Sequence, residues 1–205
     1  MKAKLEFDRS TRASGKAKGP TSRVVLRWTA ALVFFAQLLP PCAFCQSQRA
    51  NANQVQAAYL YNFGKFIKWP AVAPANQSGA FTICAFDNDS FGPVLQSTLA
   101  GESVGGKPVA VKRIARPQDA GDCHILFIGS GQDKDLKEIL TALDDESVLT
   151  VSDIPDFSKR GGMIQFFVDG SRIRFEINLE GAEKSHLQFP SELLKVAAAV
   201  RMPAR

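Results

Sequence analysis

Histidine is nearly missing from this 205-residue chain, which holds two. Neither His124 nor His186 has a second histidine at ligand spacing, and beyond residue 45 there is no CxxC, so no zinc or other metal site is expected. A P-loop and a dinucleotide-binding glycine fingerprint are missing too. The nearest glycine cluster, Gly129, Ser130 and Gly131, has neither spacing. No apolar run approaches the roughly 20 residues that a membrane-spanning helix needs. The chain's positive charge is also confined to one end. In total 25 Lys and Arg face 20 Asp and Glu, a net of +5. Residues 1–45 take eight of those bases but only two acids, Glu6 and Asp8, which leaves 17 bases and 18 acids beyond them. With a net of −1 there, no basic stripe remains to neutralise phosphates, and nucleic acid is excluded as a partner.

What is present at the N-terminus is an export pattern. A basic arm ending at Arg27 leads into an apolar run of about a dozen residues, Trp28 to Leu39, followed by Pro40 and Pro41 and the small residues Ala43 and Cys45. This predicts a cleaved secretory signal over 1–45, a flexible N-terminus over 46–53, one α/β domain over 54–201, and a periplasmic location. Two rivals are lipidation at Cys42 or Cys45, whose preceding residues suit it poorly, and an uncleaved anchor. With Cys42 and Cys45 in the signal, Cys84 and Cys123 remain. Two cysteines in an exported domain read as a disulfide. Closing a loop of about 39 residues stabilises by roughly 4 kcal/mol in the chain-entropy model. The alternative is a pair of buried thiols packing as small hydrophobes.

Along the domain, Val55, Tyr59, Phe63, Phe66 and Ile67 fall on one helical face, and Trp69–Pro70 ends that helix. Residues 71–79 read as a surface loop. Phe81–Phe86 reads as a strand, residues 91–99 as a helix, 101–108 as a loop and 109–114 as a second strand. Residues 124–128, continuously apolar, read as a buried central strand. Leu136, Ile139, Leu140 and Leu143 mark another helix, and residues 147–151 a further strand. Asp169–Gly170 between two β-rich runs predicts a hairpin with positive φ at both turn residues. On its second arm Ile173, Phe175 and Ile177 alternate with Arg172, Arg174 and Glu176, so the charged face is solvated or paired and the hairpin lies towards a sheet edge. A final helix from Ser191 packs Leu194, Ala197 and Val200. The fold class is α/β: a single-domain sandwich with a mixed β-sheet flanked by helices, including a hairpin in its C-terminal half.

The candidate chemistry is thin. Cys123 and His124 are neighbours on a strand, so their side chains point to opposite faces and do not pair as nucleophile and base. Ser152, Asp153 and Asp156 follow a strand, where α/β proteins often place ligand contacts. Asp153 either holds a ligand or caps the turn to Phe157, the commoner use. Gly161 and Gly162 either approach a ligand or form a turn. No catalytic set and no cofactor site is expected.

Taken in order, Tyr59–Pro70, Phe81–Phe86, Cys123–Ile128, Leu149–Asp153, Gly161–Phe166 and Arg174–Leu179 resemble the YfiR family of periplasmic proteins (DUF4154), over nearly all of 54–200. The resemblance implies an α/β fold, a tendency to dimerise and a structural disulfide at Cys84 and Cys123. This chain lacks the second cysteine pair of the best-known member, so the resemblance does not extend to redox control by that pair. It further implies a non-enzymatic regulator that binds the periplasmic domain of an inner-membrane receptor, a diguanylate cyclase or a histidine kinase. An outer-membrane lipoprotein would relieve the block. Tyr59, Phe63, Trp69 and Phe175 are then core residues. Partner contact falls to exposed apolar residues near the first helix or to the Arg172, Arg174 and Glu176 face. A second reading is a small-molecule sensor or carrier with a pocket near Asp153 and Gly161–Gly162.

Overall fold

A computed structural model describes residues 43–86, 91–144 and 146–203. Of the export segment expected over 1–45, all but 43–45 lies outside them, and those three residues begin the first helix. The residues from Phe44 onward form one unit. Helix α1 (Ala43–Phe66) starts a dozen residues before its apolar periodicity does, so it runs through 46–53, where polar composition predicts a loose segment. Its buried stripe also differs from the predicted one. Gln56, Ala57, Leu60, Phe63, Gly64 and Ile67 face inward at steps of three and four, whereas Val55 and Phe66 point outward. Gly64 belongs in this stripe because a Cβ there would sit 2.8 Å from the Phe81 ring.

Eight strands make one sheet in the order β2-β3-β1-β4-β5-β6-β7-β8. They are β1 (Phe81–Phe86), β2 (Ser103–Val104), β3 (Lys107–Ile114), β4 (Ile125–Ile128), β5 (Leu149–Ser152), β6 (Ile164–Asp169), β7 (Arg172–Asn178) and β8 (Ala199–Arg201). β3, β1, β4, β5 and β6 run parallel to one another, β2 and β7 are antiparallel to β3 and β6, and β8 runs parallel to β7. The other α-helices among the described residues are α2 (Phe91–Thr98), α3 (Leu136–Ala142), α4 (Leu179–Lys184) and α5 (Ser191–Val196). All four residues of β4 are buried, because strands flank it and both faces are covered.

The sheet separates two cores. On the α1 face lie Leu60, Phe63, Ile83, Phe127, Phe166 and Phe175, with Tyr59 and Trp69 packed against them. On the other lie Leu126, Ile128, Leu136, Ile139 and Phe157 around a Cys84–Cys123 disulfide with Cα atoms 5.9 Å apart.

Four local expectations are corrected. Residues 103–108 fold into a short hairpin, with Gly105 and Gly106 at φ 57° and 79° as a two-residue turn requires. Residues 71–79 are not wholly at the surface, since Ala73 and Ala75 are buried beside a 3₁₀ turn, Pro74–Gln77. The β6–β7 turn is Gly170–Ser171, flanked by the Asp169↔Arg172 pair, and only Gly170 takes a positive φ, 60°. That matches a type II′ turn, not the two-positive-φ turn expected of Asp–Gly. The last helix stops at Val196, and Val200 lies in β8 beside Ile177; Leu193 is its buried residue. Helix α4 carries no sequence expectation; the Asn178 carboxamide oxygen caps it, accepting from the Glu180 N–H at 3.2 Å.

Candidate interaction site

The β6–β7 hairpin places the charged residues singled out by alternation. Arg172 and Arg174 are exposed, and Arg174 donates to Asp169 at 3.0 Å. Glu176 is half-buried and accepts from the Ser158 hydroxyl, so it serves the fold as well as the surface. Gln165, its cross-strand partner, accepts from the Ser158 N–H at 3.2 Å.

On the α1 side of this hairpin is an open hollow of ≈ 410 Å³, walled by Asn53 and Gln56 of α1, Asp153 and Pro155, and Phe166 and Ile173. Val168, two-thirds exposed, stands at its rim. The first helix and the hairpin therefore meet at this hollow, but the Arg172, Arg174 and Glu176 face expected for partner contact does not line it, since strand alternation puts those side chains on the opposite face of β7 from Ile173. Asn53, in the segment expected to be flexible, and Gln56, inside the expected helix, are given no site role by the sequence, because their polar side chains stand outside its apolar periodicity.

Asp153 and Gly161–Gly162 do not share a pocket. Gly161, at φ 105°, borders a second hollow of ≈ 340 Å³ between α3, residues 158–161, α4 and the end of β8. Gly162 is buried, and a Cβ there would fall 2.0 Å from the Phe157 ring, so it is a packing glycine with no surface to offer a ligand. The turn after β5 is made by Ser152, whose hydroxyl accepts from the Ile154 N–H at 2.9 Å and donates to the Ile128 carbonyl at 2.6 Å. Asp156 sits at φ 57° and pairs with Lys159 at 2.5 Å; that hydrogen bond, with the lysine's charge, lowers its pKa.

His124 has no catalytic neighbour among the described residues. Its Nδ1 accepts from the Thr82 N–H at 3.1 Å, which leaves Nε2 to donate to Asn76 Oδ1 at 3.3 Å. The ring stacks on Phe81 at 4.2 Å, and Trp69 donates its indole N–H to the His124 carbonyl. Burial, and then the Lys107 charge, push the imidazole down to about 4, so it is neutral at physiological pH. Cys123 meanwhile reaches the opposite face to bond Cys84, as strand alternation requires. Among the described residues no group of three His, Cys, Asp or Glu side chains is placed to hold a metal ion, and no helix is long and apolar enough to cross a membrane.

A family model described as DUF4154, YfiR/HmsC-like, matches residues 53–198. Among solved structures, the chain is similar to a conserved domain protein from Vibrio cholerae O1 biovar El Tor, at TM-score 0.48 and 12% identity, covering 59% of this chain and 55% of that one. It is also similar to the ABC domain from Streptococcus pneumonia in complex with L-Trp, at TM-score 0.43 and 12% identity, covering 62% and 60%. The chain thus spans little more than half the length of the structures it matches.

Proposed function

We propose that this chain, which belongs to the YfiR/HmsC-like family, regulates an inner-membrane signalling protein by binding that protein's periplasmic sensor domain. The family is one of periplasmic regulators, and the observation that carries the reading is a family model spanning 53–198. The partner is a diguanylate cyclase that the chain represses, so that its release raises cyclic di-GMP and favours biofilm. An outer-membrane lipoprotein sequesters the repressor, and a homodimer is the working form.

The physical requirement on such a repressor is differential affinity. To drive a receptor from 1:99 to 99:1 in favour of its inactive state, it must bind that state about 10⁴-fold more tightly than the active one. The hairpin end offers the means: the apolar rim residue Val168 and the concave wall beside α1 for contact, with exposed Arg172 and Arg174, on the opposite face of the same hairpin and outside the hollow, to steer the encounter. A second reading, a small-molecule sensor acting with a receptor such as a histidine kinase, is favoured by the hollow beside Gly161.

A photoreactive residue at Val168, with exposed Val72, which does not line the hollow, as control, tests the docking surface in cells. Crosslinking from position 168 to a membrane protein with a periplasmic domain is expected, with none from 72. No crosslink at 168, or equal yields from both, would overturn it.

A further inference from the structure

We infer that the hollow bordered by α3, Lys159–Gly161, α4 and the end of β8 binds a small, multiply charged oxyanion of the phosphate or polycarboxylate class. This rests on the hollow alone and does not depend on the docking reading.

The first observation is where the charge goes. Beyond residue 45 the chain is net −1, yet five cations, Lys137, Lys159, Arg160, Lys184 and Arg201, line this one concavity against two acids, Asp144 and Glu180. They come from four separate segments, so the clustering is made by the fold and not by a run in the sequence. Three of the five already hold exposed partners: Lys159 with Asp156, Arg160 with Asp133, and Lys184 with Glu180 at 3.1 Å. Exposed pairs of this kind are weak, so an incoming anion can share those cations at little cost. Lys137 and Arg201 have no carboxylate partner among the described residues. They are the uncompensated charges an anion would satisfy.

The second observation is the floor. Thr150, Ser158, Asn178 and Ser185 line the hollow and are among the few buried polar residues of the molecule. Some of that polarity is spent on the fold. The Thr150 hydroxyl oxygen accepts from the Met163 N–H at 3.2 Å, and Asn178 donates to the Gly162 carbonyl at 3.1 Å. The Ser158 hydroxyl donates to Glu176 and the Asn178 carboxamide oxygen accepts from the Glu180 N–H, so the floor is a polar surface fixed by the fold's own hydrogen bonds. The third is shape. Gly181 lets α4 close on the Gly161 carbonyl, to which a Cβ there would come within 3.0 Å, and Gly161 turns the chain at positive φ. The walls are thus set by backbone, and at ≈ 340 Å³ the space suits a small molecule.

The test titrates the purified full chain with inorganic phosphate and, separately, citrate by calorimetry and thermal melting, at ionic strength held constant with chloride. Saturable binding of one or both is expected, and which one separates the two ligand classes. Lys137→Glu with Arg201→Glu should weaken it by about tenfold or more. Lys134→Glu with Lys195→Glu, an equal charge change on exposed residues outside the hollow, should leave it within about twofold. Amide shifts of the native protein on titration, which need no variant to fold, should centre on residues 158–161 and 181–185. Failure of both anions to bind, equal weakening by both variant pairs, or shifts centred elsewhere would overturn the proposal.

Discussion

On the α1 face the sheet is held by rings from distant parts of the chain. Phe63 meets Phe175 edge-on at 5.1 Å and stacks with Phe166 at 5.9 Å, and Tyr59 closes the group against Phe175 at 5.4 Å. The opposite face is largely aliphatic, covered by α3 and short 3₁₀ turns, and tied by the Cys84–Cys123 bridge. The first core gains stability from area and interlocking shape, which a single truncation damages. The second is covered by shorter elements, and a covalent tie across 39 residues offsets the chain entropy they leave. The aromatic face also underlies the proposed docking end, since Phe166 belongs both to the ring cluster and to the hollow's wall. Docking there therefore relies on a rigid base.

The comparison is broken most directly on the ring side. Phe175→Ala should cost about 3–5 kcal/mol in denaturant unfolding, and an unchanged midpoint would place that ring outside the core. On the other face, reduction or Cys84→Ser should cost up to about 4 kcal/mol; equal melting of oxidised and reduced protein would dismiss the tie. A third change belongs to the α1 side. His124 has a folded pKa of about 4 against an ordinary 6.5, so the unfolded chain takes up the proton first. Stability is then fully present above pH 6.5 and falls by roughly 3 kcal/mol as pH drops to about 4. His124→Gln should flatten that slope, and a wild-type slope unaltered by it would assign the loss to other groups. The smallest effect is expected at Arg174→Ala, whose exposed pair with Asp169 contributes less than about 1 kcal/mol. A large loss there would mean that the hairpin face is structural and not a contact surface.

Much of this architecture was legible in the residues for identifiable reasons. The run 124–128 announced β4 because a strand covered on both faces has no polar positions. Alternation from Arg172 to Ile177 announced β7 and the side on which its charges lie. The order of motifs from Tyr59 to Leu179 pointed to the family that the model match establishes. What stayed hidden was set by tertiary context. β8 is three residues long, and Leu194, Ala197 and Val200 have helical spacing, so only pairing with β7 decides against a longer helix. The extension of α1 through 46–53 has no apolar period to betray it. At the candidate site, the Arg172–Arg174 face could be read locally. That Asp153 and Gly161 belong to different hollows could not, because the packing of Phe157 under Gly162 and of α1 against the hairpin brings together residues about a hundred positions apart.

The central claim is that this chain restrains a membrane signalling protein without catalysis of its own. It is tested most directly by cellular cyclic di-GMP in a strain deleted for the gene, with and without the gene restored. The account predicts a rise on deletion that restoration reverses. Cyclic di-GMP unchanged by deletion would contradict it.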